Sequence, residues 1–190
     1  MELSVIAFLV LLGAVAALRL AELRISLRHQ RVMVARGAAK VDDPGFRWMV
    51  LLHTSILIGA AGEVVFLHRP LYPLLAAICF VIFLAANLVR WWVIRTLGDH
   101  WNVQVVNSTC LGVVTSGPFR YVRHPNYAAV FVEMLVLPLI HSAWITALAG
   151  SLAHILVLSQ RLATEERVLF ADAQYRAAMS DKPRFVPGLF

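Results

Sequence analysis

The stretch Gly117–Tyr127, GPFRYVRHPNY, holds two arginines, a histidine, two prolines and three aromatics in eleven residues. A turn requires polarity and a helix breaker, not this concentration of cations and rings. Pro118 and Pro125 forbid a continuous helix, and Pro125 suits a helical first turn. Asn126 and Tyr127 then fall where backbone N–H groups are free and favour an anion or carboxylate. The ordinary alternative is a helix start flanked by interfacial aromatic and basic anchors. Arg161 and Glu165, four residues apart, share a helix face that His154 and Leu158 continue. One reading is an exposed ion pair worth ~0.3–0.5 kcal/mol, with His154 as a packed core residue. The other is a cation and a carboxylate aimed at a ligand. Glu133 lies midway along an apolar run, where an ionisable group costs ~2.5 kcal/mol or more and must face protein or a cavity. It falls seven residues after Asn126 and points the same way. A structural hydrogen bond and a direct role both remain open for it.

These residues sit in a chain of 190 residues with mean hydropathy +0.74, of which 60% are hydrophobic and 15% charged. A soluble domain carries about 25% charged residues. The apolar residues also come in long blocks, so one integral membrane domain is expected, spanning helices over 1–96 and the chemistry-bearing region over 97–190. Cys79 and Cys110 have no metal-site or disulfide spacing. The excess of 17 Lys and Arg over 11 Asp and Glu fits the positive-inside bias of a membrane protein, not a nucleic-acid partner. Leu3–Leu18 has no basic residue before it and a cluster after it (Arg19, Arg24, Arg28, Arg31), so it reads as a retained helix, not a cleaved signal.

Five apolar segments stand out: Leu3–Leu20, Trp48–Leu67, Leu71–Arg90, Asn126–Ile140 and Ala143–Leu158. The fold class expected is an all-α polytopic helical bundle of about five transmembrane helices. His141-Ser142 alone separates the last two, which predicts a tight hairpin. Asp42-Asp43-Pro44-Gly45 predicts a turn and the start of the second span. No Gly or Pro interrupts the chain after Leu158 until Pro183, which predicts a fifth helix running on through Arg161–Ala178 into the cytosol. Seven Lys and Arg lie between Arg19 and Arg47, four between Arg90 and Arg123, and five in the tail Arg161–Arg184. The intervening turns hold one and none. The N-terminus is therefore expected outside, with the C-terminus and the site in the cytoplasm.

Four elements, taken in order, resemble the isoprenylcysteine carboxyl methyltransferase family of membrane enzymes. They are Asn102-Val103-Gln104, Val114-Thr115-Ser116-Gly117-Pro118-Phe119, Arg123-His124-Pro125-Asn126-Tyr127 and Arg161…Glu165-Glu166, with a tail Pro183-Arg184-Phe185-Val186-Pro187 matching the family's C-terminal ending. The resemblance covers about Leu97–Pro187; the first two spans match only in hydrophobicity. It implies a methyltransferase using S-adenosyl-L-methionine in a non-Rossmann site, in keeping with the lack of any GxGxxG after a predicted strand. Carried over by position, the cofactor site comprises Gln104, Leu111, Gly112, Val113, Val114, Phe119, His124, Pro125, Asn126, Tyr127 and Glu165. Arg161 matches the substrate-side arginine and, with Glu165, the catalytic pair; His154 and Glu133 are added as substrate-side candidates. Phe119 departs from the family's usual tyrosine, so a hydroxyl contact there is lost.

Methyl transfer from a sulfonium needs little acid–base help and much positioning. Glu165 can accept from an ammonium or hydroxyls, and His124 and the helix start can donate to a carboxylate. Arg161 can hold an anionic oxygen and favour the deprotonated form of a phenol or enol. The Leu-Gly-x-x-Trp and Arg-His-Pro-Asn-Tyr elements resemble small bacterial members, which implies a bacterial inner-membrane protein. A lipophilic acceptor arriving from the bilayer is expected, either isoprenylcysteine-like or an alkylresorcinol- or alkylpyrone-type lipid. Three rivals stand beside this reading. They are a phospholipid N-methyltransferase, which Arg161 disfavours because an amine nucleophile gains nothing from a facing cation; an NADPH-dependent sterol-type reductase; and a non-catalytic membrane binding protein. Nothing in the sequence speaks to oligomeric state.

Overall fold

In lipid a backbone must satisfy its own polar groups, and for apolar runs of this length the helix is the solution. A computed structural model describes residues 2–43 and 45–186. Among those residues it contains six α-helices: α1 (Leu3–Ala35), α2 (Gly45–Phe66), α3 (Pro73–Leu97), α4 (Pro125–Leu139), α5 (Trp144–Leu169) and α6 (Ala173–Met179). Helices α1, α2, α3 and α5 are long and apolar enough to cross a membrane, whereas α4 is a shorter apolar helix. The fold is a polytopic helical membrane bundle, as the apolar blocks predict.

Helix α4 has 15 residues, so it is only ~22 Å long, and it packs chiefly against α3 and α5. Pro125 opens it, and Ile140–Ala143 turns it tightly into α5, with Ser142 at φ 57°. The turn is buried against α1: His141 packs on Phe8 with ring centroids 5.4 Å apart, and its Nε2 lies 3.3 Å from the Ser4 hydroxyl. Close approach of α2 and α5 depends on a small residue, since a Cβ on Gly150 would stand 2.8 Å from Ile56. Glu63 of α2 caps α5 from outside, accepting from the Ile145 and Thr146 amides at 3.1 and 2.7 Å. The apolar core gathers Phe8, Leu12, Val15, Val64, Phe83 and Leu137 from four helices.

Two departures from the sequence expectation bear on the site. The fifth helix does not continue to Ala178. It stops at Leu169, and Asp172 starts a new helix by accepting from the Tyr175 amide at 2.9 Å. The Arg176 guanidinium holds the break by donating to the Phe170 carbonyl at 2.8 Å. The second departure is α1, whose 33 residues run well past the apolar segment that ends near Leu20. That extra length, ~50 Å in all, is used to build the site.

Candidate functional site

The polar half of α1 buries Glu22, Ser26 and Gln30, spaced four residues apart and so on one face. This face holds the loop after α3. The Ser26 hydroxyl bonds the Asn102 amide oxygen at 3.0 Å and accepts from the Val103 amide at 3.0 Å. Gln30 donates to the Gln104 side chain at 2.8 Å, and His29 Nδ1 lies 3.0 Å from the Trp101 carbonyl. A short antiparallel pairing, Ala39 with Asn107 and Lys40 with Val106, ties the α1–α2 connection to the same loop. Gly117 then brings the chain against α3 at φ +57°, where a Cβ would collide with the Thr96 side chain. Glycine alone meets both conditions without strain.

These elements enclose a chamber of about 520 Å³ that reaches from the loops into the bundle, within the ~300–1,000 Å³ that small-molecule sites occupy. Of the residues expected at a cofactor site, Gln104, Gly112, Val113, Val114, Phe119, His124, Pro125, Asn126, Tyr127 and Glu165 line it, as do Arg161 and His154. The structure does not bring Leu111 or Glu133 to its wall. Leu111 ends a short 3-10 turn (Thr109–Leu111), and it is the following Gly112, at φ +101°, that reaches the chamber.

Glu133 is fully buried between helices. Its carboxylate accepts from Arg19 of α1 at 2.7 Å and Arg90 of α3 at 3.4 Å. Both arginines also hold Glu22, at 2.7 and 2.6 Å. Two guanidinium groups and two carboxylates thus balance in the bundle interior, as buried charge requires. Of the two roles the sequence leaves open for Glu133, its contacts match the structural one.

At the mouth, α4 and α5 bring four motif residues into mutual contact. The Tyr127 hydroxyl donates to the Glu165 carboxylate, and Arg161 donates to the Val103 carbonyl. The Arg161 guanidinium lies 5.8 Å from the Tyr127 ring centre and 3.7 Å from Asp43. Arg161 and Glu165 do not pair with each other, so the exposed ion pair allowed by their spacing is not formed. The His124 ring stacks on Tyr127 at 5.5 Å, with Nε2 3.2 Å from Glu166 and Nδ1 3.9 Å from Glu165.

Glu166 points away from the chamber and gathers cations. Arg184 lies at 2.7 Å and Arg123 at 3.3 Å from its carboxylate, and this contact holds the Arg184 guanidinium above its ordinary pKa. The tail is further fixed by backbone bonds, Arg123 N–H to the Pro183 carbonyl and His124 N–H to the Arg184 carbonyl, each 2.9 Å. Lys182 donates to the Phe119 carbonyl at 2.7 Å. Pro187, the last residue of the tail resemblance, lies outside the described residues. Tyr175 of α6 closes one wall, and burial, then the Glu165 charge, pushes its phenol above the usual range.

Sequence reasoning did not single out His53, Asp43, Arg19, Glu22 or Arg90, although all but Asp43 line the chamber. Their signal was present as isolated polar residues in, or at the edge of, apolar runs. Among the described residues no group of three or more His, Cys, Asp or Glu could hold a metal ion.

The protein is a polytopic helical membrane bundle whose chamber, largely apolar with a few convergent polar groups, is built in part from the loop after α3, the start of α4 and the end of α5. The profile of the isoprenylcysteine carboxyl methyltransferase family matches residues 76–171, half of the chain, and the chain belongs to that family. The match takes in α3 and α4 and ends just past α5, leaving α1, α2 and the tail outside it. Among similar proteins are the uncharacterized protein YpbQ of Bacillus subtilis, 26% identical over 85% of this chain and 96% of that protein, and an uncharacterized protein of Haemophilus influenzae, 27% identical over 83% and 91%.

Proposed function

We propose that the chain is an S-adenosyl-L-methionine-dependent O-methyltransferase acting on a lipophilic acceptor with an acidic oxygen, a carboxylate or a phenol or enol. The observation that carries this is the meeting of Arg161, Tyr127 and Glu165 in one chamber, which opens among the motif loops and continues between apolar helices. The residues present fit the cofactor. Asn126 Oδ1 is buried with no partner, and the Glu165 carboxylate lines the same wall, so an ammonium and ribose hydroxyls would find acceptors there. The first-turn amides of Asn126 and Tyr127 have no side-chain cap from His124 and are free to donate to a carboxylate. Bound there, the cofactor supplies an electrophilic methyl group.

The protein's own task is placement. Glu166 and the tail fix His124, which stacks on Tyr127; Tyr127 in turn orients Glu165. Arg161, held by the Val103 carbonyl, presents a guanidinium to the acceptor oxygen and favours its anionic form. The acceptor's apolar part lies along the α2–α5 walls. The site faces the cytoplasm, with the N-terminus on the opposite side, because the Lys- and Arg-rich connections surround it.

The test is incubation of the purified protein with labelled S-adenosyl-L-methionine and a bacterial lipid extract, with identification of the labelled product. Label is expected on an oxygen of a lipid. Glu165→Ala should weaken cofactor binding by ~1.5–3 kcal/mol through loss of a charged hydrogen bond. Arg161→Ala should lose ~100-fold in turnover while retaining cofactor affinity. Tight NADPH binding without S-adenosyl-L-methionine binding would overturn the proposal, as would label found on a lipid amine.

A further inference from the structure

Beyond Arg161 the chamber continues inward between α2, α4 and α5. Met49, Leu57 and Val130 make that reach apolar, yet two histidines line it, His53 of α2 and His154 of α5. Their rings meet edge to face, 5.5 Å between centroids and 88° between planes, which packs the rings without joining their nitrogens. His53 Nε2 and both nitrogens of His154 are buried and have no hydrogen-bond partner. The other ring beside His154, Phe131 at 5.9 Å between centroids, offers none. Most buried side-chain polar atoms are hydrogen-bonded, and His154 has neither ring nitrogen bonded. Here three nitrogens on two facing helices share the want of a partner.

The charges nearby do not supply one. Arg19 and Arg90 are matched by Glu22 and Glu133, so this region is neutral as it stands. A further ion would be unpaired at membrane depth, and a protonated imidazole would be too. Two neutral imidazoles each offer one N–H and one lone pair. A hydroxyl satisfies one of each, and a carbonyl takes an N–H; an alkyl chain leaves all three nitrogens wanting. His154 precedes Arg161 by seven residues on the same face of α5, two helical turns or ~10 Å.

We propose that His53 and His154 form a recognition site for an uncharged oxygen, hydroxyl or carbonyl, borne on the apolar part of the acceptor about two helical turns from the oxygen that is methylated. This rests on the reading of Arg161 as the residue facing the reacting oxygen. It makes the acceptor an oxygenated lipid and not a simple alkyl one.

The test uses the full chain in detergent and two matched pairs of probes: octadecanoate with 10-hydroxyoctadecanoate, and a 3-alkylphenol with its counterpart hydroxylated at the same distance along the chain. Calorimetry on the wild type should show the hydroxylated member of at least one pair bound tenfold or more tightly. His53→Phe and His154→Phe keep the ring volume and should abolish that preference, with S-adenosyl-L-methionine affinity unchanged as the check on folding. His154→Asn, which restores a donor and an acceptor, should recover some of it. Equal binding within both pairs, a preference surviving both phenylalanine variants, or binding of none of the probes would each overturn the inference. Cofactor binding with no hydroxyl preference refutes this site alone. A hydroxyl preference without cofactor binding refutes the methyltransferase reading and leaves the site.

Discussion

Replacing Glu133 removes one charge from a balanced set of four, and the geometry sets the size of the effect. The Glu133 side chain is wholly buried and those of Arg90 and Arg19 are 6% and 17% exposed, so water replaces a lost carboxylate only in small part. In Glu133→Leu, Arg19 and Arg90 lose their contacts at 2.7 and 3.4 Å, and both fall back on Glu22 alone. Breaking a buried pair from one side costs ~3–5 kcal/mol, and the leucine variant should lie in that range. Glu133→Gln keeps an oxygen that can accept from one arginine, so the loss should be nearer ~2–3 kcal/mol, since a hydrogen bond to a charged group retains ~1.5 kcal/mol or more. The discriminating variant is Glu133→Leu with Arg19→Leu. It leaves a one-to-one pair, Arg90 with Glu22 at 2.6 Å, and restores neutrality. Its cost should therefore fall short of the sum of the single variants by ~1.5 kcal/mol or more. The assay is reversible unfolding in mixed detergent followed by tryptophan fluorescence. Strict additivity, or a loss below ~1 kcal/mol in Glu133→Leu, would refute the network as the element joining α1, α3 and α4.

Three further outcomes are expected. Gly117→Ala should destabilise by ~1–2 kcal/mol for a left-handed non-glycine residue plus the Thr96 collision, and Thr96→Ala in the same chain should relieve the collision, read by thermal unfolding of both variants. Asp172→Ala removes the α6 cap at a cost of ~1 kcal/mol, seen as faster amide exchange confined to Ala173–Met179 while α5 is unchanged. Glu166→Gln loosens Arg184, Arg123 and His124 together, so limited trypsin digestion should cleave after Arg184 several-fold faster than in wild type; equal rates would mean the backbone bonds at Arg123 and His124 suffice to hold the tail.

The membrane bundle was legible because apolar runs of span length admit one backbone solution. The α4–α5 hairpin was legible because only His141 and Ser142 stand between adjacent runs of that kind. That Gln104, Tyr127, Arg161 and Glu165 line one chamber is what the family resemblance implies, and local helix rules alone do not supply it. The end of α5 departs from the expectation because absence of Gly and Pro does not ensure continuity; Asp172, a good cap three residues before Tyr175, carries the contrary signal. The role of α1 is hidden in the sequence because the basic cluster from Arg19 onward reads as the flank that follows a membrane span. The four-residue spacing of Glu22, Ser26 and Gln30 betrays the helix and its buried face. The pairing of Ala39–Lys40 with Val106–Asn107 is too short for any pattern to announce, and the apposition of His53 and His154 depends on tertiary packing between helices far apart in the chain.

The unbroken course of α1 imposes a rule of phase. Its first half is oriented by the lipid-spanning core through Phe8, Leu12 and Val15, and its second half must present Ser26 and Gln30 to the loop. Both halves turn as one rod. A single residue inserted near Arg19 would rotate the second face by ~100° and raise it by ~1.5 Å, pointing Ser26 and Gln30 away from Asn102 and Gln104 while the rest of the sequence stayed the same. Only steps close to whole turns, such as seven residues, keep the two faces in register, and a step of seven lifts the loop ~10 Å off the chamber it closes. The length of this helix is therefore fixed twice over, once by angle and once by height.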